Sequence, residues 1–455
     1  MHNDKGLDVL TRERMRAIHT NRQKRVYSVA MKKMLKNPGE LFRKIWITSG
    51  AFLENDLFTY AAAGACNFIL SALPILLMTL AVLLRVFHAS PEALLQLVDS
   101  VLPQFHVFDY EATVSSILYA RTTSLVEIIL GLTIFWMARR FFASLQRGLA
   151  QIWRKRGKGR PIRENLLIIA GEVLLVVLIV STAISVTTAN AFFRSALSRE
   201  LINPAAANFL SHLFLYTPLG AIFLFLFLVY DLLPRVRPAH QDAALAAAAC
   251  TASFWITQTL YSLFIDMTRY NLVYGILSNA IVLVLEVYTF FLLFLYWAQF
   301  LYAKQFYESF LVSRICLLPP ADETNLFRRI ERRIFRRPEL FFRKYACEYR
   351  AGDAVYSKND ESQGLFYIWK GSILTETKNE ISRLGEGSVF GEIESLSGAL
   401  RISTVRAETD STVLKIPEDI FLETLEVDGE LSRWALFSMT DFLRKKQGKT
   451  ISMHP

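Results

Sequence analysis

Near the end of the sequence, residues 391–405 read GEIESLSGALRISTV, and their types suit the binding of a phosphate. Gly391 lets the main chain approach a ligand closely, Glu392 follows it, and Arg401 stands nine positions after that glutamate. Main-chain amides in such a turn, at the start of a short helix, attract an anion. An arginine binds two phosphate oxygens at once through charge-assisted hydrogen bonds. The spacing therefore predicts a phosphate-binding turn.

The sequence around this turn indicates which elements must position it. From Tyr349 onward, short runs of strand-forming residues alternate with turn residues, and helical sequence follows at 418–446. Short strands at this spacing are typical of a small β-barrel or jelly roll. We therefore expect a small β jelly-roll domain with flanking helices at 346–446.

This C-terminal part resembles the cyclic-nucleotide-binding domain of bacterial catabolite regulators, cyclic-nucleotide-dependent kinases and gated channels. The stretch AGDAVYSKNDESQGLFYIWKGSILTE follows the glycine spacing of that family, with Gly352 and Gly371 at turns. The stretch LGEGSVFGEIESLSGALRISTV is similar to its phosphate-binding cassette. The resemblance covers residues 340–445 and implies that the ligand is a cyclic nucleotide.

The resemblance also implies a role for each residue of the turn. Gly391, Glu392 and Ile393 line the phosphate site, Glu392 accepts a hydrogen bond from the ribose 2′-hydroxyl, and Arg401 pairs with the exocyclic phosphate oxygens. Buried charges without a ligand are costly, which favours binding. The alternative is a degenerate fold that binds no nucleotide and serves only for docking.

The residues after the arginine bear on which nucleotide fits. Leu400 stands where the family often has proline, and Ile402 stands where it has Ala, Ser or Thr. A hydroxyl at that position is associated with cGMP, so Ile402 favours cAMP. Because strand alternation directs only one of the next two residues inward, Ser403 is a further candidate. Trp434 is the candidate for stacking on the base, with core packing as the other explanation.

The part of the sequence before this domain is typical of a membrane protein. Of the 455 residues, 53% are hydrophobic, and the mean hydropathy is +0.29. Six apolar runs exceed the ~20 helical residues that span a bilayer. They lie at 58–87, 124–145, 166–193, 208–233, 242–265 and 277–304. We therefore expect an α-helical bundle of six transmembrane helices.

The segments that flank these runs are alternately rich and poor in Lys and Arg. These residues are concentrated in 1–45, in the loop at 154–163 and in 314–344, whereas 88–121 and 266–276 contain one each. The positive-inside rule then predicts that both termini are cytoplasmic. The net charge of +10 is explained by this topology and by contacts with anionic lipid headgroups. We expect no nucleic-acid partner, which is the alternative meaning of a basic chain.

Ionisable residues inside the apolar runs are candidates for function. Glu172 and Glu286 are surrounded by apolar residues on both sides, which favours a polar pathway or an internal ion pair within the bundle. Glu127, Arg139 and Arg140 also interrupt an apolar run. For these three, the same pathway and snorkelling to the membrane surface both stay open.

Residues 45–305 resemble the YihY/BrkB family of bacterial inner-membrane proteins. The stretch YAAAGACNFILSALPILL at 60–77 is similar to the signature of the first helix of that family. Residues 228–303 resemble it more closely, with Tyr230 and Pro234 in a turn and the motif YNLVYG before the last run. The resemblance implies a six-helix, multi-pass protein of the bacterial inner membrane.

Members of that family have been labelled a tRNA-processing ribonuclease and have been linked to serum resistance and transport. Metal nucleases need clustered carboxylates or histidines, but the seven histidines here are scattered. We therefore expect no enzyme, no catalytic residue, no metal and no cofactor, with cAMP as a regulatory ligand. The sequence departs from the family at Gln151, at Glu286 and at Trp297, Ala298 and Gln299.

The predicted organisation has four segments. They are a basic N-terminal segment at 1–45, the transmembrane domain at 46–312, a basic helical linker at 313–345 and the cyclic-nucleotide-binding-like domain at 346–446. In the linker, Leu326, Ile330 and Ile334 fall on one side of a helix and arginines on the other. That helix either contacts anionic headgroups or packs its apolar side on a neighbour.

Two functions remain open. In the first, a transporter-like or envelope protein is regulated by a cAMP-type sensor, whose final helices act through the linker on the last span. In the second, a structural or interaction protein, of the virulence or serum-resistance type, carries a docking-only C-terminal domain. The sequence leaves open the transported species and the trigger, and a homo-oligomer is a further open expectation.

Overall fold

The computed structural model describes residues 38–85, 124–153, 165–185, 217–264, 276–337 and 342–446, except positions 168, 176, 183, 184, 235, 321, 378 and 379. Several expectations fall outside these residues. They are the basic segment up to residue 37, the charge patterns of the loops at 88–121, 154–163 and 266–275, and the motif YNLVYG at 270–275.

Helices make up the described N-terminal part of the chain. Their bounds are α1 Pro38–Glu54, α2 Leu57–Arg85, α3 Ser124–Ile152, α4 Asn165–Thr182, α5 Thr217–Leu232, α6 His240–Phe264 and α7 Ile276–Gln305. Each of the six predicted apolar runs overlaps one of the helices α2 to α7. The prediction of an apolar helical region is therefore confirmed.

Three helices of the described residues are long and apolar enough to cross a membrane. They are Asn165–Thr182, His240–Leu263 and Ile281–Gln305. Leu57–Ser71, the first part of α2, and Thr217–Leu232 are apolar but shorter. Six crossings stay a prediction, since parts of the third and fourth runs lie outside the described residues.

Small residues allow the helices of the bundle to approach one another closely. A Cβ added to Gly64 on α2 would clash with the ring of Phe291 on α7, and one added to Gly148 on α3 would lie 2.8 Å from Leu295 on α7. Helix association in a bilayer depends on such packing, because lipid chains are as apolar as the side chains. Helix α7 therefore packs closely against both α2 and α3.

The last apolar helix leads directly into two short helices. Helix α8, Tyr307–Cys316, is separated from the end of α7 by one residue, Phe306. Phe306 is not helical, with φ −110° and ψ 30°. Helix α9 spans Leu326–Phe335, within the predicted linker, and the Asn325 side chain caps it by accepting from the amide of Phe327 at 2.9 Å. The chain thus forms two further short helices between α7 and the β domain.

The C-terminal part contains two four-stranded antiparallel sheets. The strands are β1 Ala346–Tyr349, β2 Ala354–Tyr356, β3 Leu365–Lys370, β4 Ile373–Thr377, β5 Glu380–Leu384, β6 Val389–Phe390, β7 Thr404–Ala407 and β8 Ser411–Ile416. One sheet has the order β1-β8-β3-β6 and the other β2-β7-β4-β5. Phe366, Ile368 and Val413 of the first sheet pack on Ile373 and Val405 of the second.

Three helices complete this domain. Helix α10, Glu392–Ser397, follows β6, and helices α11, Glu418–Val427, and α12, Gly429–Lys446, follow β8. The prediction of a small β domain with flanking helices is therefore confirmed. One buried apolar cluster runs from the bundle through α8 to α11 and α12, so the two parts of the chain share a core.

Candidate functional site

Arg401 lies at the centre of the predicted phosphate-binding turn, and it is 1% exposed. Its Nη1 donates to the carbonyl of Gly391 at 2.9 Å, and its Nη2 donates to the carbonyl of Gly364 at 2.6 Å. The guanidinium carbon lies 4.4 Å from the ring centroid of Tyr356 and 5.4 Å from that of Phe366. Carbonyls and aromatic faces therefore hold this cation in one orientation away from water.

Gly391 is required where it stands because the main chain and Arg401 meet there. It adopts φ +78°, in the left-handed region, between β6 and α10. A Cβ at this position would lie 2.5 Å from Nη1 of Arg401. The absence of a side chain at Gly391 thus leaves room for the guanidinium of Arg401, and it also allows the turn that the sequence predicts.

Glu392 faces the last helix of the domain. Its Oε1 accepts a hydrogen bond from the Ser438 hydroxyl on α12 at 2.8 Å. Burial raises the pKa of Glu392 above its usual value, and hydrogen bonds from its own backbone amide and from Ser438 partly offset that shift. The residue predicted to bind a ribose hydroxyl therefore also connects the turn to α12.

Glu394 belongs to this site, although the sequence reasoning assigned it no role. It is 4% exposed, and its Oε2 lies 3.6 Å from Nη1 of Arg401. Its Oε1 accepts from the main-chain amide of Ile402 at 3.3 Å. The sequence contains no local signal for this contact, because it depends on the burial of Arg401, and a desolvated cation is stabilised by an anionic partner.

The other predicted contact residues lie around this centre. Ser403 is 4% exposed and Ile402 is 40% exposed, so the first hydroxyl after Ile402 is the one that points inward. Ile393 is half-buried on α10. Trp434 is half-buried on α12 and packs against the shared core. It lies one helical turn before Ser438, on the same face of α12 as the residue that contacts Glu392.

The two glutamates that were predicted to lie within apolar runs are far from this turn in the sequence. Glu172 on α4 is 1% exposed, and neither of its carboxyl oxygens has a hydrogen-bond partner among the described residues. Glu286 on α7 is half-buried. Between the middle of α3 and the start of α4, Nη2 of Arg139 donates to Oδ1 of Asn165 at 2.9 Å. Arg140 lies over the ring of Trp136, 4.8 Å from its centroid.

Polar side chains also connect the bundle to the C-terminal domain. Ser313 on α8 donates to Oδ2 of Asp428 at 2.6 Å in a buried hydrogen bond. The Oδ1 of the same carboxylate accepts from the amides of Glu430 and Leu431 at 2.8 and 3.3 Å, so Asp428 caps α12. Ser309, one turn earlier on α8, donates to Glu423 on α11 at 2.9 Å.

A small polar cavity lies at this junction. Asn55, Gln151, Gln299 and Asp428 are among the residues that line it. Asn55 donates to Oε1 of Gln299 at 3.3 Å, and Gln151 donates to the carbonyl of Asn55 at 3.2 Å. Nε2 of Gln299 is buried without a hydrogen-bond partner among the described residues. Two glutamines that depart from the family pattern of the sequence therefore meet where the bundle contacts the C-terminal domain.

The described residues contain no group of three or more His, Cys, Asp or Glu side chains that could hold a metal ion.

Comparisons with known proteins match the two parts of the chain separately. A family model described as "Virulence factor BrkB" matches residues 48–307. A second model, described as "Cyclic nucleotide-binding domain", matches residues 346–428. The first match covers the bundle and the second covers the β domain up to the end of α11.

Among solved structures, the chain is similar to the cAMP-bound form of the EAL enzyme Bd1971, with 25% identity over 23% of this chain and 29% of that chain and a TM-score of 0.20. A transcriptional regulator from Thermotoga maritima shares 22% identity over 23% of this chain and 86% of that chain, with a TM-score of 0.21. The cAMP-bound PfPKA-R (141-441) shares 19% identity over 23% and 37%, with a TM-score of 0.20. The chain thus spans less than a third of the length of the first of these structures.

Proposed function

We propose, because this chain belongs to the virulence factor BrkB family, that it is a membrane protein whose bundle is regulated by its C-terminal cyclic-nucleotide-binding domain. The observation that carries this proposal is the contact between α8 and α11. Helix α8 continues the last helix of the bundle, and its Ser313 bonds the carboxylate that caps α12. A displacement of α11 and α12 therefore changes the surroundings of α7.

The connection differs from the one expected at the sequence level. That expectation placed the transmitting element in the basic helical part of the linker at 323–345. The element that contacts α11 directly is α8, Tyr307–Cys316, whose last residues are the start of the predicted linker at 313–345. Helix α9 of the linker supports α8 instead, since Glu331 pairs with Arg314 at 2.9 Å. In this proposal, α8 transmits the state of the sensor and α9 braces it.

The regulatory ligand in this proposal is a cyclic nucleotide of the cAMP type. Arg401 supplies a fixed cation, Glu392 an acceptor for a ribose hydroxyl, and Gly391, Ile393, Ile402 and Ser403 the surrounding turn. Trp434 is the candidate for stacking on the base. These roles remain proposals. They are supported by the hydrogen bond from Arg401 to Gly391, next to Glu392, and by the hydrogen bond that connects Glu392 to Ser438 on α12.

The membrane part is proposed to cross the bacterial inner membrane six times, with both termini in the cytoplasm where nucleotides are present. Its task is proposed to be transporter-like or another envelope function, with no enzymatic reaction and no cofactor. The buried carboxyl of Glu172 supports a polar pathway through the bundle, as does the position of Glu286. The same proposal includes three further expectations. They are the segment boundaries at 45, 312 and 345, the contact of the basic segments with anionic lipid headgroups, and the formation of a homo-oligomer.

A second function is favoured by one specific observation. Arg401 is already bonded to two carbonyls and lies beside Glu394. A site satisfied by the protein itself is what a docking-only domain would show. In that case the chain is an interaction or structural protein of the envelope, and the C-terminal domain holds a fixed position against the bundle.

Titration of the full chain in lipid nanodiscs with cAMP and cGMP separates the two functions. We expect cAMP to bind, and Arg401→Ala to weaken binding by about 2–4 kcal/mol, because a buried charged contact is lost. Arg401→Lys keeps the charge but not the two-pronged geometry, so it is expected to bind at an intermediate level. Arg406→Ala, an exposed arginine on β7, is the matched control and should bind like the unmodified chain.

The absence of any heat at millimolar cAMP and cGMP would refute the sensor and favour docking. Equal binding by the unmodified chain and Arg401→Ala would refute the assignment of Arg401 alone.

A further inference from the structure

We propose that Glu394 is an internal anion that competes with the phosphate of the ligand for Arg401. The proposal deepens the sensor function and rests on it. It starts from the energetic position of Arg401, a cation that is 1% exposed. A cation removed from water is stable only with an anionic partner or with its donors satisfied. Among the described residues, Glu394 is the carboxylate that lies within 4 Å of it.

The contacts of Glu394 match those that a bound anion would make. One oxygen faces Nη1 of Arg401, and the other accepts the main-chain amide of Ile402. A guanidinium together with a loop amide is the pair of groups that binds phosphate oxygens in protein turns. The carboxylate of Glu394 therefore stands where two oxygens of a bound phosphate would be held.

The pair is loose enough to be exchanged. The distance of 3.6 Å between Nη1 and Oε2 exceeds that of a charge-assisted hydrogen bond, and the hydrogen bonds recorded for the guanidinium go to Gly391 and Gly364. A ligand phosphate can therefore replace Glu394 while both carbonyl contacts of Arg401 remain. After Glu394, α10 runs into exposed residues at 397–400, which leaves a displaced carboxylate a path to water.

Displacement of Glu394 would be transmitted to the last helix. Glu394 and Glu392 lie on the same short helix, and Glu392 is bonded to Ser438 on α12. The first turn of α12 is capped by Asp428, which Ser313 of α8 contacts. A series of contacts thus connects Arg401, through α10, α12 and α8, to the last helix of the bundle. Competition between Glu394 and the ligand acts at the Arg401 end of this series.

The test uses the full chain in lipid nanodiscs and two probes, cAMP and inorganic phosphate. Glu394→Ala removes the internal anion, so we expect it to bind cAMP at least about tenfold more tightly than the unmodified chain. We also expect the melting temperature of Glu394→Ala to rise on addition of inorganic phosphate, which replaces the lost carboxylate, while that of the unmodified chain does not. Glu376→Ala, an exposed glutamate on β4, is the control for loss of one negative charge.

Glu394→Gln keeps the shape of the side chain and loses its charge. If Glu394→Ala does not fold, the same measurements are made on Glu394→Gln and the unmodified chain. Equal cAMP affinity in the unmodified chain and in the variant would overturn the role of Glu394 and leave the sensor standing. Stabilisation of the variant by phosphate without cAMP binding by either protein would support the internal anion and refute the nucleotide. No response to either probe by the unmodified chain or by the variant would overturn both proposals.

Discussion

At the scale of single residues, the C-terminal site is organised by one buried cation. Arg401 is held by the carbonyls of Gly391 and Gly364, by two aromatic faces and by the nearby carboxylate of Glu394. A buried charge with this many partners is costly to disturb, because removing one partner leaves the remainder desolvated. The loop at 391–401 therefore depends on Arg401 whether or not a ligand is bound.

Gly391→Ala tests how tightly the loop closes on Arg401. The added Cβ would lie 2.5 Å from Nη1, and the two hydrogen bonds of the guanidinium prevent it from moving away freely. We expect a loss of about 3 kcal/mol in the free energy of unfolding, from left-handed backbone strain plus the displaced arginine. Urea unfolding of the full chain in detergent measures it.

Gly398→Ala is the matched control for this substitution. Gly398 also has a positive φ, +64°, but nothing lies within 4 Å of an added Cβ. It is expected to lose only about 1 kcal/mol, from the backbone alone. Similar losses at both glycines would show that Arg401 does not constrain the loop.

At the scale of elements, helix α8 connects the two parts of the chain. On one side, Arg314 pairs with Glu54 of α1 at 3.2 Å and with Glu331 of α9 at 2.9 Å. On the other side, Ser309 and Ser313 bond carboxylates on α11 and at the start of α12. Because the two serines are four residues apart, they lie on the same face of the helix. One face of α8 therefore binds the C-terminal domain.

Ser313→Ala is expected to weaken this junction more than Ser309→Ala. The first removes a buried hydrogen bond to the carboxylate of Asp428, which costs about 1.5–3 kcal/mol. The second removes a bond to the half-buried Glu423, which water can replace, so we expect less than about 1 kcal/mol. Urea unfolding measures both losses, and hydrogen exchange of the α12 amides locates them. Equal losses would mean that burial at Asp428 contributes nothing to the junction.

At the scale of the whole molecule, a continuous apolar core extends from the bundle to the C-terminal domain. It includes Phe291 of α7, Phe310 of α8, Phe421 of α11 and Leu431 of α12. A change in α11 cannot leave α8 unaffected, because closely packed side chains rearrange together. The C-terminal domain is therefore expected to act on the bundle by direct packing, without a flexible tether between them.

The six-span arrangement is a prediction for the whole molecule, and reporter fusions test it. Fusions after residues 158 and 450 should report a cytoplasmic position, because Lys and Arg are concentrated in the loop at 154–163 and in 314–344 after the last apolar run. A fusion after residue 105 should report the outer side. A reporter at 450 that is active on the outer side would contradict the topology and would place the proposed nucleotide site away from cytoplasmic nucleotides.

The sequence alone was sufficient for the helical apolar region, the small β domain and the nearness of Gly391, Glu392 and Arg401. These features rest on hydrophobic periodicity, turn residues and short spacings, which are local properties of the chain. Only the tertiary structure decided that Glu394 pairs with Arg401, that Glu392 contacts α12, and that α8, whose last residues begin the predicted linker, joins the two parts. Ser313 and Asp428 are separated by 115 positions, and the carboxylate that reaches a buried cation depends on how the loop packs against the sheets. Such partners are selected by long-range packing, for which a single sequence contains no local signal.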